Sequence, residues 1–211
     1  MAAKRGRPRS DTARCAILDA TAELLAEGGM AAVTMEAVAA RAGVSKGTVY
    51  KWWPTRGAVA LDAFMESVQD VLAFPDSGDV ETDMVSQVQV LLGLFRDTHA
   101  GPFLTALIGQ AQTDPEMGEA LRDRWLNPRR RIAGDVLRRA IDRGELRPDV
   151  DVETLIDQIY APLYHRMTIR HLPLTDDLPR SLVRTVLDGV RVRPDKGAPD
   201  RSAEVLPTQS G

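Results

Sequence analysis

Cysteine is nearly absent: Cys15 is the single one in 211 residues. That excludes an internal disulfide and a cysteine-built metal cluster. No apolar run approaches the roughly 20 residues needed to span a bilayer, and the N-terminus lacks the apolar core of a secretory signal. A reduced, cytoplasmic location without membrane contact is expected. Catalytic signatures are missing as well, with neither a phosphate-cradling glycine loop nor a serine elbow. His165 and His171 stand six positions apart, off a common helix face, so they are not expected to pair on a metal. No catalytic residue, metal or cofactor is expected. Nor is there an excess of positive charge, the formal net charge being -3.

Hydrophobic residues make up 44% and charged residues 27%, so a packed soluble core is expected. The charge is unevenly spread. Residues 1–56 carry nine Lys/Arg against five acids, so the head is basic and the remaining body acidic. That puts attraction for phosphate in one place.

Residues 34–53, TMEAVAARAGVSKGTVYKWW, read as two short helices and a tight turn. Thr34 caps the first helix, and Met35, Val38 and Ala39 form its apolar face. Gly43 suits a left-handed turn, and Val44 plugs the angle. Ser45 caps a second helix over 46–52, with Val49 and Trp53 facing inward. Lys46, Gly47, Thr48, Tyr50, Lys51 and Trp52 face outward, a cationic and hydroxylated set without an acid. Such a face fits the major groove of duplex DNA.

Ala42-Gly43-Val44-Ser45-Lys46-Gly47-Thr48-Val49-Tyr50, followed by Trp53-Pro54-Thr55-Arg56, resembles the helix-turn-helix of the TetR/AcrR family of bacterial transcriptional regulators. The resemblance implies an all-α protein, with a three-helix DNA-binding domain and a helical domain that binds a small-molecule inducer and dimerises. It implies binding, as a homodimer, to a near-palindromic operator in double-stranded DNA. It also implies residue roles. Thr34 and Tyr50 bond phosphates through hydroxyls, and Lys51 and Arg56 as cations. Lys46, Gly47 and Thr48, with the capping Ser45, come within reach of base edges. Trp52 either stacks on a sugar-phosphate edge or shields the domain. Arg5 and Arg7 lie in a basic arm, 1–9, that either enters an A·T-rich minor groove or stays a solvated tail touching phosphates.

The expected organisation is an arm over 1–9, a DNA-binding domain over 10–56, a ligand-binding and dimerisation domain over 57–190, and a disordered tail over 191–211. Ser10 caps a first helix over 11–27, ended by Gly28-Gly29. A long helix over 56–73 bridges the halves, with glycine at 57 where family members usually carry an acid. Pro128 is expected to kink or split the helix over 115–143. Arg129-Arg130-Arg131 reads as a solvated charge run. Gly144-Glu145-Leu146-Arg147-Pro148-Asp149, with Ala161-Pro162-Leu163-Tyr164-His165-Arg166, resembles one TetR C-terminal subfamily.

Phe95, Phe103, Leu107, Met117, Leu121, Trp125 and Gln158 are candidates for the wall of a ligand pocket, or else ordinary core. The helix over 152–170 is apolar on two sides, which suggests burial against a second copy. Ile156, Tyr160, Leu163 and Met167, with Leu182, Val186 and Val190 of the last helix over 176–190, are the candidate dimer interface. An activator of the same fold, or a relative that has lost its operator, remains open.

Overall fold

Six of the described helix starts carry side-chain caps. Thr34 accepts from the Ala37 amide at 3.0 Å, Ser45 from Thr48 at 3.2 Å, and Thr55 from Ala58 at 3.1 Å. Asp79, Asp114 and Asp151 do the same for Thr82, Met117 and Thr154. Each cap satisfies an amide that the first helical turn leaves free, typically worth about 1 kcal/mol.

The computed structural model describes residues 7–68 and 75–192, and only the backbone of 7–10. The helices are α1 (Arg7–Ala32), α2 (Met35–Arg41), α3 (Lys46–Trp52), α4 (Arg56–Ser67) and α5 (Val80–Asp97). Then come α6 (Ala100–Ala111), α7 (Pro115–Leu121), a π-helical turn (Arg122–Leu126), α8 (Asn127–Asp142), α9 (Val152–Ile169) and α10 (Leu178–Asp188). No strand forms among the described residues. A single antiparallel bridge joins Leu146 to Arg191.

The helices group around α4. It packs on α1 at one side and on α6 and α7 at the other, while α5, α8, α9 and α10 form a bundle beyond. Ile17, Val38, Val49, Val59 and Phe64 are fully buried along this seam. Phe64 on α4 meets Trp125 of the π turn edge-on, ring centroids 4.6 Å apart. Glu81 at the start of α5 binds Arg184 of α10 and Arg191, each at 2.5 Å.

Several boundaries differ from the sequence reading. Helix α1 starts at Arg7 rather than Asp11, so Ser10 lies inside it. Gly28 and Gly29 leave helical geometry as expected, but one more turn follows through Ala32. Helix α4 ends at Ser67, and the rest of the expected span to 73, with Leu72, falls largely outside the described residues. The disruption at Pro128 is a π turn immediately before it. Proline lacks an amide hydrogen, and its ring crowds the carbonyl four residues back, which is Arg124 in that turn. Arg191 and Val192 belong to the fold, since Val192 N donates to Glu145 O at 3.2 Å. The remainder of the expected tail, 193–211, is outside the described residues, as are Arg5 and the Arg7 side chain.

Candidate nucleic-acid interface and ligand cavity

Helix α3 is held out by α2 and a turn at Gly43, whose φ of +66° is a backbone state that a side chain disfavours. Met35, Val38, Ala39 and Val49 are buried beneath. Ser45, Lys46, Gly47, Tyr50, Lys51 and Trp52 are exposed and Thr48 is half-buried. Ser45 Oγ lies 2.8 Å from Thr48 Oγ1, so one hydroxyl donates a hydrogen bond to the other at the tip of the helix. Tyr50 is a large side chain left 47% exposed on this face. Thr34 stands exposed at the start of α2, and Arg56 lies at the start of α4 near the Met30 carbonyl.

Two features were not visible in the sequence. Lys46 is ion-paired with Glu36 of α2, and its ammonium also sits 5.7 Å from the Tyr50 ring centroid. The hydrogen bond raises the Lys46 pKa and lowers that of Glu36. The outward face is therefore not free of acid. Three helix positions separate Lys46 from Tyr50, but the acid comes from the neighbouring helix, which no spacing within 46–52 reveals. Arg41, by contrast, is committed to the scaffold. It grips Glu27 with two nitrogens at 2.9 Å and Glu23 at 3.1 Å, tying α2 to α1. Glu36→Gln should release Lys46 and tighten binding to any duplex by a factor of roughly two to five. Fluorescence anisotropy at low salt checks this, and unchanged or weaker binding would place Lys46 away from the DNA.

Behind α3, a polar chain leads inward. Trp53 is buried, and its indole N–H donates to Asp62 Oδ2 of α4 at 2.8 Å. Asp62 in turn pairs with Arg124 of the π turn at 2.5 Å. Trp52 lies tilted on Trp53, centroids 6.2 Å apart, and 38% of it is exposed. Gly57 also has a specific neighbour. A Cβ there would lie 2.5 Å from Met117 Cε, so glycine lets α4 rest on α7.

Next to the π turn lies a cavity of about 480 Å³, between α5, α6, α7, α8 and α9. That is within the usual range for small-molecule sites. Of the expected wall residues, Leu121 and Trp125 line it. Phe103, Leu107 and Met117 are buried core and do not. Phe95 faces a separate pocket with Arg166 and Leu174, and Gln158 is exposed on the far side of α9.

The dimer-interface expectation also needs correcting. Ile156, Leu163 and Met167 are buried within their own chain, because α9 is covered by α5, α6, α8 and α10. Both apolar sides of α9 are thus used inside one protomer. Ile156 and Tyr160 line the cavity, together with Tyr164, Gln87 and Arg129. Leu182, Val186 and Val190 remain partly exposed. The charge run is likewise not uniform: Arg129 is buried, Arg130 is ion-paired and Arg131 is exposed.

His165 and His171 do meet, ring centroids 4.4 Å apart, because Arg170 takes a left-handed conformation and turns the chain back. No group of three His, Cys, Asp or Glu that could hold a metal occurs among the described residues. No helix among them is long and apolar enough to cross a membrane.

Comparison with known proteins agrees with this geometry. Residues 17–63 match the model of the bacterial regulatory proteins, tetR family. Residues 74–186 match the tetracyclin repressor-like C-terminal domain. The HTH-type transcriptional regulator YdeS of Bacillus subtilis is 40% identical over 191 residues, 90% of this chain and 96% of that protein. The DNA-binding transcriptional repressor TetR of Mycobacteroides abscessus is 32% identical over 184 residues, 85% of this chain and 94% of that protein. The crystal structure of the TetR family transcription regulator SCO0332 is 44% identical with a TM-score of 0.70, covering 86% of this chain and 99% of that one. The capped α2–α3 unit, the bridging α4 and the helical body with its cavity are those of a helix-turn-helix transcriptional regulator, and the chain belongs to the TetR family.

Proposed function

We propose that this regulator is a homodimeric repressor that leaves its operator when a small molecule fills the cavity. One observation carries the reading: the reader helix and the cavity wall share a polar and apolar linkage. Trp53 at the end of α3 bonds Asp62, Asp62 pairs with Arg124, and Arg124 adjoins the cavity-lining Trp125. Met117 of α7 rests against Gly57 at the first turn of α4. A ligand that shifts α7 or the π turn would therefore tilt α4 and α3 with it. Two readers must sit about one DNA turn apart, roughly 34 Å, so a small tilt in each protomer removes the fit. The ligand acts only through its preference for the tilted state. The partly exposed Leu182 and Val186 of α10, with Val190 just beyond its end, support pairing of two copies. The likeness to a protein named as a repressor supports the sign of regulation.

The operator is accessible by selecting bound sequences from random duplexes. Tyr50→Phe should weaken the selected site and random DNA alike, because it removes a phosphate contact and no base contact. Thr48→Ala should instead change which sequence is chosen. Repeating the selection with each variant tests both, and an unaltered preference for Thr48→Ala would remove it as a base reader. A protein that runs as a single subunit at binding concentrations would overturn the dimeric part of the reading.

A further inference from the structure

The cavity wall is mainly apolar; its charged members are Arg122, Arg129 and the mutually paired Arg130 and Asp157, and of these Arg129 of α8 is the buried one. Arg129 is 9% exposed. Its Nη1 donates to the Trp125 carbonyl at 3.0 Å, and its guanidinium carbon lies 3.0 Å from the Trp125 ring centroid. Nε and Nη2 are buried with no hydrogen-bond partner. Burial lowers the Arg129 pKa to about 10, so the group stays charged at neutral pH. No carboxylate among the described residues pairs with it. The nearby acids are spoken for: Asp157 and Glu153 hold Arg130 at 2.5 and 2.7 Å.

The other polar groups on this part of the wall leave donors unused, while their acceptors are taken. Tyr164 Oη accepts from Trp125 Nε1 at 3.0 Å, and its own proton has no acceptor among the described residues. Tyr160 donates to Gln87 Oε1 at 2.5 Å, leaving the Gln87 amide nitrogen as a donor. A buried cation without a counter-ion works against folding. Here it is surrounded by unused donors and borders an empty apolar space, so the missing charge has a place from which to come.

We infer that the cavity takes an amphipathic carboxylate, with its apolar body against Leu91, Leu104 and Ile156 and its carboxylate at Arg129, Tyr164 and Gln87. This rests on the reading of the cavity as the ligand site. A guanidinium fork matches a carboxylate in shape as well as charge. A dianion such as a phosphate monoester fits less well, because Arg129 is the one buried guanidinium on the wall without a counter-ion, Arg122 being exposed to solvent and Arg130 already neutralised. Arg122, which lines the cavity but is exposed, forms no ion pair among the described residues and can draw an anion inward.

The test uses the full chain and matched pairs of probes: decanoate, dodecanoate, 2-naphthoate and 4-biphenylcarboxylate, each beside its methyl ester. Calorimetry gives affinity, and anisotropy of the selected duplex gives release. At least one acid should bind about 10- to 100-fold tighter than its ester. Arg129→Met should bring that acid down to the ester's level while melting no lower than the parent without ligand. Should Arg129→Met fail to fold, Tyr164→Phe should lower acid affinity severalfold and leave the ester unchanged. Acids and esters that bind alike, or a preference that survives both substitutions, would overturn the inference. If esters alone bind and release the duplex, the carboxylate assignment falls and ligand-driven release stands. If acids bind as expected and the duplex is held, the assignment stands and release falls. If no probe of either kind binds, both fall.

Discussion

Raising salt from 50 to 200 mM should weaken binding to the selected duplex about a thousandfold. The expectation follows from where the positive charge sits. Lys46, Lys51 and Arg56 stand on or beside the exposed face of α3. Two protomers would neutralise about six phosphates and release their counterions, giving a log–log slope of about −5. The formal net charge of -3 does not oppose this, because at these ionic strengths charges more than roughly 10 Å away are screened. The acids nearest the interface are also engaged, Glu23 and Glu27 with Arg41 and Glu36 with Lys46. A slope near half this value would indicate one protomer on the DNA. A slope near zero would mean that the basic head is not the contact. Random duplexes should show a similar slope at lower affinity, since phosphates carry no sequence information.

The capped α2–α3 unit was legible because its determinants are local. A cap, a glycine and an apolar triplet each act within one or two helical turns, so Thr34, Gly43, Ser45 and Val49 could be placed by spacing alone. The cavity was not legible, because it is made where five helices meet. Of the candidate residues Leu121 and Trp125 line it, whereas Phe103, Leu107 and Met117, equally apolar, are buried in the core. Helix α9 shows the same limit. Its two apolar sides were read correctly, but what covers them depends on how many helices its own chain can bring, and that chain covers both. Arg129 was hidden in a run of three arginines. Only the packing of Trp125 beneath it separates a buried guanidinium from an ion-paired one and an exposed one. A usable signal was present nonetheless: Ile156, Tyr160 and Tyr164 recur at four-residue spacing and put two hydroxyls on one buried face, which is unusual for plain core.

Phe64→Ala should cost about 3–5 kcal/mol of stability, the largest single loss expected from a side-chain truncation in α4. The ring is fully buried. It packs edge-on against Trp125 at 4.6 Å between centroids and tilted against Phe103 at 6.5 Å. Removing it leaves a hole bounded by the π turn and α6, neither of which can close on it without moving the cavity wall. In denaturant unfolding the midpoint should fall with the slope unchanged, and the melting temperature should drop by about 6–20 °C. A loss below about 1 kcal/mol would mean that the ring is not packed as described. The same substitution also separates stability from coupling. The exposed residues of α3 lie on the outward face while Phe64 is fully buried, so affinity for the duplex should stay within a few-fold of the parent well below the melting transition. Release by ligand should weaken, because Trp125 loses the partner through which its position is felt in α4. Phe64→Leu refills most of the space and should cost less than about 1.5 kcal/mol. If Phe64→Leu restores stability and release together, the ring acts by filling space between α4 and the cavity. If it restores stability while release stays weak, the edge-on contact with Trp125 is what transmits the change. If release is untouched even in Phe64→Ala, the signal travels through Asp62–Arg124 or Met117–Gly57 instead, and Asp62→Asn is then the variant in which it should fail.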